Sequence, residues 1–259
     1  MAKGTALVTG ASSGIGAELA RLCAGDGYDL VLVARRADRL QQLAGRLAAE
    51  YSVQARILPV DLAVATGPQT VFDGVAGTPI DLLINNAGFG VRGPFAELAW
   101  DKQAALLQVN LVAPIHLSRL FLPEMIRRRS GRVLNVASTA AFVPGPFMAL
   151  YYASKAGLLS FSEAIANELK GTGVTATVLC PGVTQTEFFA AAGVEDSNLL
   201  RGGGVMDAGS VAREGYRAMM EGKVEIVAGA RNRWTMRGAR LLPRTTLAEV
   251  TRRLNSGGQ

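Results

Sequence analysis

The sequence predicts an α/β protein with one doubly wound parallel sheet of about seven strands and helices on both faces. Short runs rich in Leu and β-branched residues alternate with segments whose apolar residues recur at helical spacing. Most of the short runs are apolar throughout, as expected of strands covered on both faces. Right-handed crossovers between successive parallel strands would place the helices on the two faces.

Seven runs are predicted as strands in chain order. Their spacing leaves room for a helix in most of the intervals between them, as in repeated βαβ units. The predicted strands span residues 6–9, 29–34, 55–60, 81–85, 132–137, 174–180 and 224–228.

The intervening helices are predicted from apolar stripes. The first stripe is typical, because its members stand at i, i+4, i+7 and i+8, and Gly25 and Gly27 follow it as a stop signal. The stripes contain Ile15, Leu19, Leu22 and Cys23; Leu40, Leu43 and Leu47; and Leu158, Phe161, Ile165 and Leu169.

Residue counts exclude several classes of protein. His116 is the sole histidine, which argues against a Ser-His-Asp hydrolase, a Cys-His protease and a His-ligated metal cluster. Cys23 and Cys180 are the only cysteines, so neither a disulfide framework nor a zinc CxxC motif is expected. We therefore predict no metal site.

The basic excess is confined to one end of the chain. There are 27 basic and 21 acidic residues, and residues 231–259 contain seven arginines and one glutamate. A nucleic-acid-binding body would spread basic charge over a face, so no nucleic-acid partner is expected.

No consecutive apolar run approaches the roughly 18 residues of a membrane span, and the amino terminus runs directly into the first strand. We expect a soluble cytoplasmic protein. Residues 1–230 are predicted to form one domain, with a flexible flap at about residues 183–205 and a basic amphipathic extension at residues 231–259.

A glycine-rich turn joins the first predicted strand to the first helix. Gly10, Gly14 and Gly16 have the spacing GxxxGxG, which differs from the general GxGxxG fingerprint. Glycines permit a tight turn, and the free amides at the helix start attract an anion. The turn predicts a pyrophosphate cradle; the alternative is a glycine turn without a ligand.

Two arginines end the second predicted strand. Arg35 stands 19 positions after Gly16, close to where an NAD-binding protein places an acidic residue about 20 residues beyond its glycines. Guanidinium groups favour a 2′-phosphate, so Arg35 and Arg36 predict a preference for NADP(H) over NAD(H). The alternative is that they are merely solvated, and Arg39 could share the role.

Tyr151 and Lys155 stand four residues apart on a predicted helix and therefore share a face. A free tyrosine titrates near ~10, so forming a phenolate at neutral pH requires a pKa lower by about 3 units. A neighbouring ammonium favours that shift. The alternative is a surface lysine beside a half-buried tyrosine.

Taken together, these motifs resemble the short-chain dehydrogenase/reductase family over roughly residues 5–230. The resemblance depends on the order and spacing of marks that are each weak alone. They are residues 9–16, Asp61-Leu62, residues 85–88, Asn110, Ser138, Tyr151 with Lys155, Pro181-Gly182 and Thr186.

The resemblance implies a Rossmann-type NAD(P)-dependent oxidoreductase with a catalytic tetrad of Asn110, Ser138, Tyr151 and Lys155. Tyr151 would exchange a proton with the substrate oxygen while Ser138 hydrogen-bonds that oxygen. Lys155 would hold the nicotinamide ribose. Asn110 would support a water-mediated proton path; its alternative is a polar kink near Pro114.

The resemblance also implies the cofactor contacts, in which Asp61 and Leu62 meet adenine, Asn86 its ribose, and the backbone near Val183 and Thr184 the nicotinamide. The predicted cofactor-binding set is Gly10, Ser12, Ser13, Gly14, Ile15, Gly16, Arg35, Arg36, Asp61, Leu62, Asn86, Ala87, Gly88, Tyr151, Lys155, Pro181, Gly182, Val183, Thr184 and Thr186.

Aromatic residues near the predicted strand ends and in the flap suggest an apolar carbonyl or secondary alcohol as substrate, such as an acyl, steroid-like or aromatic ketone. The alternative is that they only pack the flap. The predicted substrate residues are Ser138, Phe142, Phe147, Tyr151, Phe188 and Phe189.

The basic extension has three interpretations: a subunit-interface or flap-covering helix, a peripheral membrane or acidic-partner contact, or a solvated end. The family habit implies a homodimer or homotetramer. For the whole chain, a non-catalytic NADP(H)-sensing module that acts through the extension is the alternative to an enzyme. Dehydratase or epimerase chemistry on a nucleotide sugar is less favoured, because it resembles longer members of the superfamily.

Overall fold

The structure is a computed structural model that describes residues 2–193, 198 and 204–256. Seven strands pair in parallel in the order β3-β2-β1-β4-β5-β6-β9, and β7 pairs with β8 separately. The strands are β1 (Thr5–Thr9), β2 (Asp29–Ala34), β3 (Ala55–Pro59), β4 (Leu82–Asn85), β5 (Gly131–Val136), β6 (Val174–Cys180), β7 (Thr184–Gln185), β8 (Met206–Asp207) and β9 (Glu225–Val227).

Helices connect the strands as the sequence predicts. A 3-10 turn, Thr139–Phe142, follows β5, and a π-helical turn, Gln108–Val112, joins α4 to α5. The α-helices are α1 (Gly14–Gly25), α2 (Ala37–Tyr51), α3 (Gly67–Gly74), α4 (Trp100–Leu107), α5 (Ala113–Arg128), α6 (Ala149–Glu168), α7 (Phe188–Ala192), α8 (Ala208–Met220), α9 (Ala230–Ala239) and α10 (Arg244–Asn255).

The sheet is covered on both faces. Val8 of β1 belongs to one buried core with Leu19 of α1, whereas the next residue back, Leu7, belongs to another with Leu117 of α5. Alternate strand residues point to opposite faces, so the two cores are the two layers of a three-layer sandwich. The predicted doubly wound fold is confirmed.

The order of the sheet places a crevice above its middle. β1 pairs with β2 on one side and β4 on the other, so the direction of winding reverses between β1 and β4. Ligands of such sheets bind beyond the carboxyl ends of the strands at this reversal. The segments that follow β1, β4, β5 and β6 therefore surround this crevice.

The predicted strands agree with β1 to β6 and β9 to within one residue at each end. The described part of residues 183–205, the predicted flap, contains β7 and α7, and the flexibility of this segment stays a prediction. β7 pairs with β8 at its base, and α7 follows β7. Residues 194–197 and 199–203, including Gly202 and Gly203 of the glycine run, lie outside the described residues.

Among the described residues, one helical segment, Trp100–Arg128, is long and apolar enough to cross a membrane by length and composition. It is not a consecutive apolar run, since Asp101, Lys102 and Arg119 interrupt it. Leu117, Phe121 and Met125 are buried in the core against the sheet. A core helix of this kind passes the same test, so the segment is weak grounds for a membrane span.

The basic extension is helical over most of its length, in α9 and α10. α10 packs on the loop before α6: Thr251 Oγ1 donates to Pro144 O at 2.5 Å, and Asn255 Nδ2 donates to Pro146 O at 2.8 Å. The predicted division of the chain at residue 231 stays a prediction.

Candidate active site

The glycine turn lies where the winding reverses. Asn86, just after β4, donates from Nδ2 to Thr9 O at 3.0 Å and to Gly10 O at 3.2 Å. A Cβ at Gly10 would lie 2.7 Å from this nitrogen, and one at Gly16 only 2.4 Å away. Both positions therefore require glycine so that the backbone and Asn86 can approach closely.

The start of α1 is open to an anion. Its N-cap, Ser13, makes no side-chain cap hydrogen bond to the helix. The first amides of a helix carry partial positive charge and need an acceptor. Together with the close-packed glycines, this turn fits the pyrophosphate of a dinucleotide.

The turn forms one end of a cleft of about 470 Å³. Most of the predicted site residues line it. They are Gly10, Ser12, Ser13, Gly14, Ile15, Arg35, Arg36, Asp61, Leu62, Asn86, Ala87, Gly88, Ser138, Tyr151, Lys155, Pro181, Gly182, Val183, Thr184, Thr186, Phe188 and Phe189.

Four predicted residues lie behind or outside this lining: Gly16, Asn110, Phe142 and Phe147. Gly16 lies inside the turn, packed against Asn86 and the Gly10 carbonyl. Phe142 ends the 3-10 turn after Ser138 and lies 5.4 Å from the Arg240 guanidinium, measured to the ring centroid. Phe142 therefore does not line this cleft, and its contact with a substrate stays a prediction.

Phe147 also lies outside the lining of the cleft, and its contact with a substrate stays a prediction. Its backbone has a φ of +65°, and its carbonyl accepts a hydrogen bond from Gly93 N at 2.8 Å. Its ring lies 5.0 Å from the Arg252 guanidinium of α10 and borders a separate small cavity. The turn in the chain directs this side chain away from the main cleft.

The arginine cluster lies at the other side of the glycine turn. Arg36 Nη2 donates to Ser12 Oγ at 3.0 Å and to Ser13 Oγ at 3.2 Å, while Arg35 is exposed at the rim. Arg36 Nη1 is 2.8 Å from Glu187 Oε2, and Arg39 bonds the other oxygen of that carboxylate. Sequence reasoning missed Glu187.

The residues implied for the adenosine end line the same rim. Asp61 Oδ1 accepts from Ala63 N at 2.9 Å, while Leu62 is buried in the core beneath the cleft. Because the Asn86 amide nitrogen is already bonded to the turn, this side chain holds the cradle in shape as well as lining it.

Tyr151 and Lys155 share the first turns of α6, which faces the cleft below β5. Lys155 Nζ donates to Val136 O at 2.8 Å and lies 5.9 Å from the centroid of the Tyr151 ring. Ser138 follows β5, and its hydroxyl lies within hydrogen-bonding reach of Tyr151. Helical spacing pairs Tyr151 with Lys155, and the end of β5 brings Ser138 to them.

Burial acts on the two titratable groups in opposite senses. It raises the pKa of Tyr151 to about 12, and the hydrogen bond with Ser138 counters only part of that rise. It lowers the pKa of Lys155 to about 8. The expected lowering of the Tyr151 pKa is absent in the protein alone, because desolvation disfavours the phenolate more than its neighbours favour it. The tyrosine is thus protonated at neutral pH.

Asn110 lies at the π-helical turn between α4 and α5 and is fully buried. Its Oδ1 accepts from Phe89 N at 3.0 Å, and its Nδ2 donates to Phe89 O at 2.9 Å. A Cβ on Gly88 would touch both Asn110 Oδ1 and Lys155 Nζ, so these atoms meet behind the same glycine. A π-helical turn at Asn110 and the approach of Asn110 to Lys155 are present, while the support of a proton path by Asn110 stays a prediction.

An apolar wall stands beside Tyr151. The Phe188 ring of α7 lies 5.2 Å from the Tyr151 ring, and Phe189 lies 6.0 Å from Phe188, measured between centroids. Met148 and Ala140 are buried in the same cluster and line the cleft, although sequence reasoning missed them. Met148 stands three residues before Tyr151, so helical spacing gave a signal for it.

Within the part of the chain that the structure describes, no group of three or more His, Cys, Asp or Glu side chains could hold a metal ion.

The comparisons with known proteins identify the family. The family model described as short chain dehydrogenase matches residues 4–196. The chain therefore belongs to the short-chain dehydrogenase/reductase family, as the motifs predict. The family, together with relatives described as a ketoacyl reductase and as a very-long-chain 3-oxoacyl-CoA reductase, identifies an oxidoreductase enzyme.

Two relatives of known description illustrate the match. The chain is 35% identical over 227 residues to the ketoacyl reductase HetN of Nostoc sp. strain PCC 7120, covering 86% of this chain and 77% of the relative. It is 32% identical, with a TM-score of 0.81, to a short-chain dehydrogenase from Sphingobium yanoikuyae in complex with NADPH, covering 92% and 94% of the two chains. The chain spans only 61% and 50% of the length of two further curated relatives.

A second solved structure differs in its cofactor. It is a short-chain dehydrogenase/reductase from Burkholderia phymatum in complex with NAD, 26% identical with a TM-score of 0.81, covering 91% of this chain and 92% of that chain. The family and the glycine cradle together establish a nicotinamide cofactor of one of the two kinds.

Proposed function

We propose that the protein reduces the carbonyl of an apolar ketone or 3-oxoacyl compound, with NADPH as the preferred cofactor and Tyr151 as the proton donor. The observation that carries this proposal is the Tyr151 hydroxyl within hydrogen-bonding reach of Ser138, in a cleft with an apolar wall. A proton donor must be protonated at the working pH, and burial raises the pKa of Tyr151 further above neutrality.

The hydroxyl groups of Ser138 and Tyr151 have different roles at the substrate oxygen. Ser138 donates a hydrogen bond that orients the carbonyl and stabilises negative charge as it develops on oxygen. The reduced nicotinamide supplies the hydride when bound. Tyr151 then transfers its proton to the oxygen, so the carbonyl gains one hydride on carbon and one proton on oxygen.

Lys155 and Asn110 support this transfer from behind. A tyrosine that gives up its proton needs its phenolate stabilised, and the Lys155 ammonium, near the Tyr151 ring, lowers the energy of that anion. Asn110 meets Lys155 behind Gly88, and we assign to it the support of a proton path from Lys155 to solvent. Lys155 would also hold the nicotinamide ribose when the cofactor is bound.

An apolar substrate is supported by the residues around Tyr151. Phe188, Phe189, Met148 and Ala140 form an apolar cluster with the tyrosine ring. Apolar and aromatic walls with a few polar groups are typical of small-molecule sites. The relative HetN is described as a ketoacyl reductase, which agrees with an acyl chain lying on this wall.

The preference for NADPH is supported by Arg36, which bonds the hydroxyls of the glycine turn and lies at the end of β2. Arginine recognises phosphate through several parallel N–H donors. Arg35 and Arg39 add positive charge at the same rim. A non-catalytic sensing module is not favoured, since the relatives are named as enzymes and the set of side chains for proton transfer is intact.

The experiment follows NADPH consumption with 3-oxoacyl thioesters of increasing chain length, bulky aromatic ketones and small ketose sugars. We expect kcat/KM to rise with the apolar area of the substrate. Phe188→Ala should reduce kcat/KM for the long-chain and bulky ketones more than for the short ones. Faster turnover of the ketoses, or loss of equal size for all substrates in Phe188→Ala, contradicts the apolar assignment.

We further propose that the protein works in the cytoplasm as a homodimer or homotetramer, the commonest habit of its family. Trp234, Leu241 and Leu242, in and after α9, are exposed and offer an apolar surface to a second copy. A monomer in size-exclusion chromatography with light scattering contradicts this assembly. Co-sedimentation with anionic liposomes that is lost without residues 231–259 would support the membrane contact instead.

A further inference from the structure

Glu187 is the feature of the cleft that neither the motifs nor the proposed chemistry uses. It stands between β7 and α7, at the base of the flap, and its side chain is half exposed. Its carboxylate is shared by two guanidinium groups, since Oε2 lies 2.8 Å from Arg36 Nη1 and Oε1 bonds Arg39. These contacts hold the pKa of Glu187 below its usual range, so the carboxylate is charged at neutral pH.

The same contacts connect the flap to the glycine turn. Arg36 uses its other terminal nitrogen on the Ser12 and Ser13 hydroxyls, so one guanidinium joins Glu187 to the turn. The preceding flap residue, Thr186, is packed so close that a Cβ on Gly14 would lie 2.9 Å from its methyl carbon. The carboxylate therefore lies at the rim of the cofactor cleft.

We infer that Glu187 is a specificity-determining residue whose carboxylate competes with the 2′-phosphate of NADP(H) for Arg36 and Arg39. This inference rests on the proposed preference for NADPH. A phosphate arriving at Arg36 meets donors that are already bonded to an anion, and it meets the negative charge of that anion. Glu187 must give up its contacts for the phosphate to be bound with full strength.

The exchange is feasible because the ion pairs are partly exposed to solvent. Half-exposed pairs contribute little net free energy, since hydration replaces much of what they lose. Glu187 therefore weakens the binding of a 2′-phosphate without abolishing it. With Glu187 present, the preference for NADPH over NADH is smaller than the one that Arg35, Arg36 and Arg39 would give without it.

The test uses the intact protein and two ligands without nicotinamide. We would measure by calorimetry the dissociation constants of 2′,5′-ADP and of 5′-AMP, which differ by the phosphate in question. Glu187→Gln keeps the size of the side chain and removes its charge. Glu124→Gln is the matched control, because Glu124 pairs with Arg127 on the surface of α5 and does not line the cleft.

We expect Glu187→Gln to bind 2′,5′-ADP about two- to tenfold more tightly, with 5′-AMP unchanged and with no effect in Glu124→Gln. The gain should shrink as salt is added, since the competing charges are exposed. An equal change for both ligands, or weaker binding of 2′,5′-ADP, overturns the inference.

Arg36→Ala separates this inference from the one on which it rests. If the wild-type protein does not favour 2′,5′-ADP over 5′-AMP, or if Arg36→Ala leaves the preference intact, the proposed assignment of NADPH recognition to Arg36 fails. If the wild-type preference exists and depends on Arg36 but Glu187→Gln does not increase it, the role of Glu187 alone is wrong.

Discussion

Lys155 is an ionisable residue that the folded protein buries beside Tyr151. Its side chain is buried, and its ammonium donates a hydrogen bond to the Val136 carbonyl. Burial disfavours the charged form, which is why the pKa of Lys155 falls from 10.5 to about 8. A buried lysine in this position supports proton transfer, and its desolvation lowers the free energy of unfolding.

The stability of the cofactor-free protein should therefore depend on pH through this residue. From pH 8 to 10.5 the unfolded chain binds the Lys155 proton and the folded chain does not, so the unfolding free energy of the wild type rises relative to Lys155→Met. The rise is at most about 3 kcal/mol, from 1.36 kcal/mol per pKa unit between 10.5 and about 8. Denaturant unfolding at a series of pH values measures it.

Lys170→Met is the control for this measurement, because Lys170 is exposed just after α6. It should show no such slope. If the difference in unfolding free energy between the wild type and Lys155→Met does not change from pH 8 to 10.5, Lys155 is not desolvated in the folded protein.

Single residues differ in how well their placement could be predicted from the sequence. Tyr151 and Lys155 are fixed by helical spacing within one element, so the sequence places them correctly. Phe147 and Glu187 depend on where separate elements meet: the former on a left-handed backbone turn beneath α10, the latter on the approach of the flap to α2. No local pattern encodes such long-range contacts.

At the scale of elements, α10 acts on the site through the residue next to the proton donor. Tyr152 Oη donates to Asn255 Oδ1 at 3.1 Å, and Asn255 is fully buried where it bonds the loop before α6. Tyr152 and Tyr151 are neighbours on α6, with ring centroids 5.9 Å apart. The last turn of α10 thus helps to fix the wall of the substrate cleft.

Asn255→Ala should raise the KM for bulky ketones about three- to thirtyfold with a smaller change in kcat. The reason is that the hydroxyl of Tyr152 and the carbonyl of Pro146 lose a buried partner, a loss of about 1–3 kcal/mol for each such group. Steady-state kinetics against the substrate series measures the split between KM and kcat.

Glu249→Ala, an exposed change on the same helix, should leave both constants close to those of the wild type. If Asn255→Ala lowers kcat alone, α10 acts on catalysis and not on the substrate wall.

Elements with strong periodicity were predicted well and short ones were not. The seven apolar runs correspond to the seven strands of the main sheet. They could be predicted because strands buried on both faces have continuous apolar sequence. The two-residue strands β7 and β8 have too little sequence to show a period. The sequence indicates the π-helical turn only through Asn110, a polar residue near Pro114. It does not indicate the hydrogen-bond register of that turn.

At the scale of the whole molecule, the cleft is built from both halves of the sheet. The glycine turn and Arg36 follow strands on one side of the reversal, and Ser138 and Pro181 follow strands on the other. A ligand that spans the cleft binds only the assembled sheet, so its binding free energy adds to the stability of the whole fold.

NADPH should accordingly raise the midpoint of thermal unfolding more than NADH at the same concentration. A ligand at about 100 times its Kd adds roughly 2.7 kcal/mol, which corresponds to an increase of about 5–10 °C for a domain of this size. Differential scanning fluorimetry measures the shift. Equal shifts with the two cofactors would contradict the proposed preference, and no shift with either would contradict cofactor binding at this cleft.

The measurement that tests the central claim most directly is NADPH consumption with the best ketone of the panel by the wild type, Tyr151→Phe and Tyr152→Phe. Proton donation by Tyr151 predicts that Tyr151→Phe lowers kcat by about 10²- to 10⁴-fold while still binding NADPH. Tyr152→Phe, which loses the hydroxyl that bonds Asn255, should lose far less. Turnover by Tyr151→Phe at a rate close to that of the wild type would contradict the mechanism.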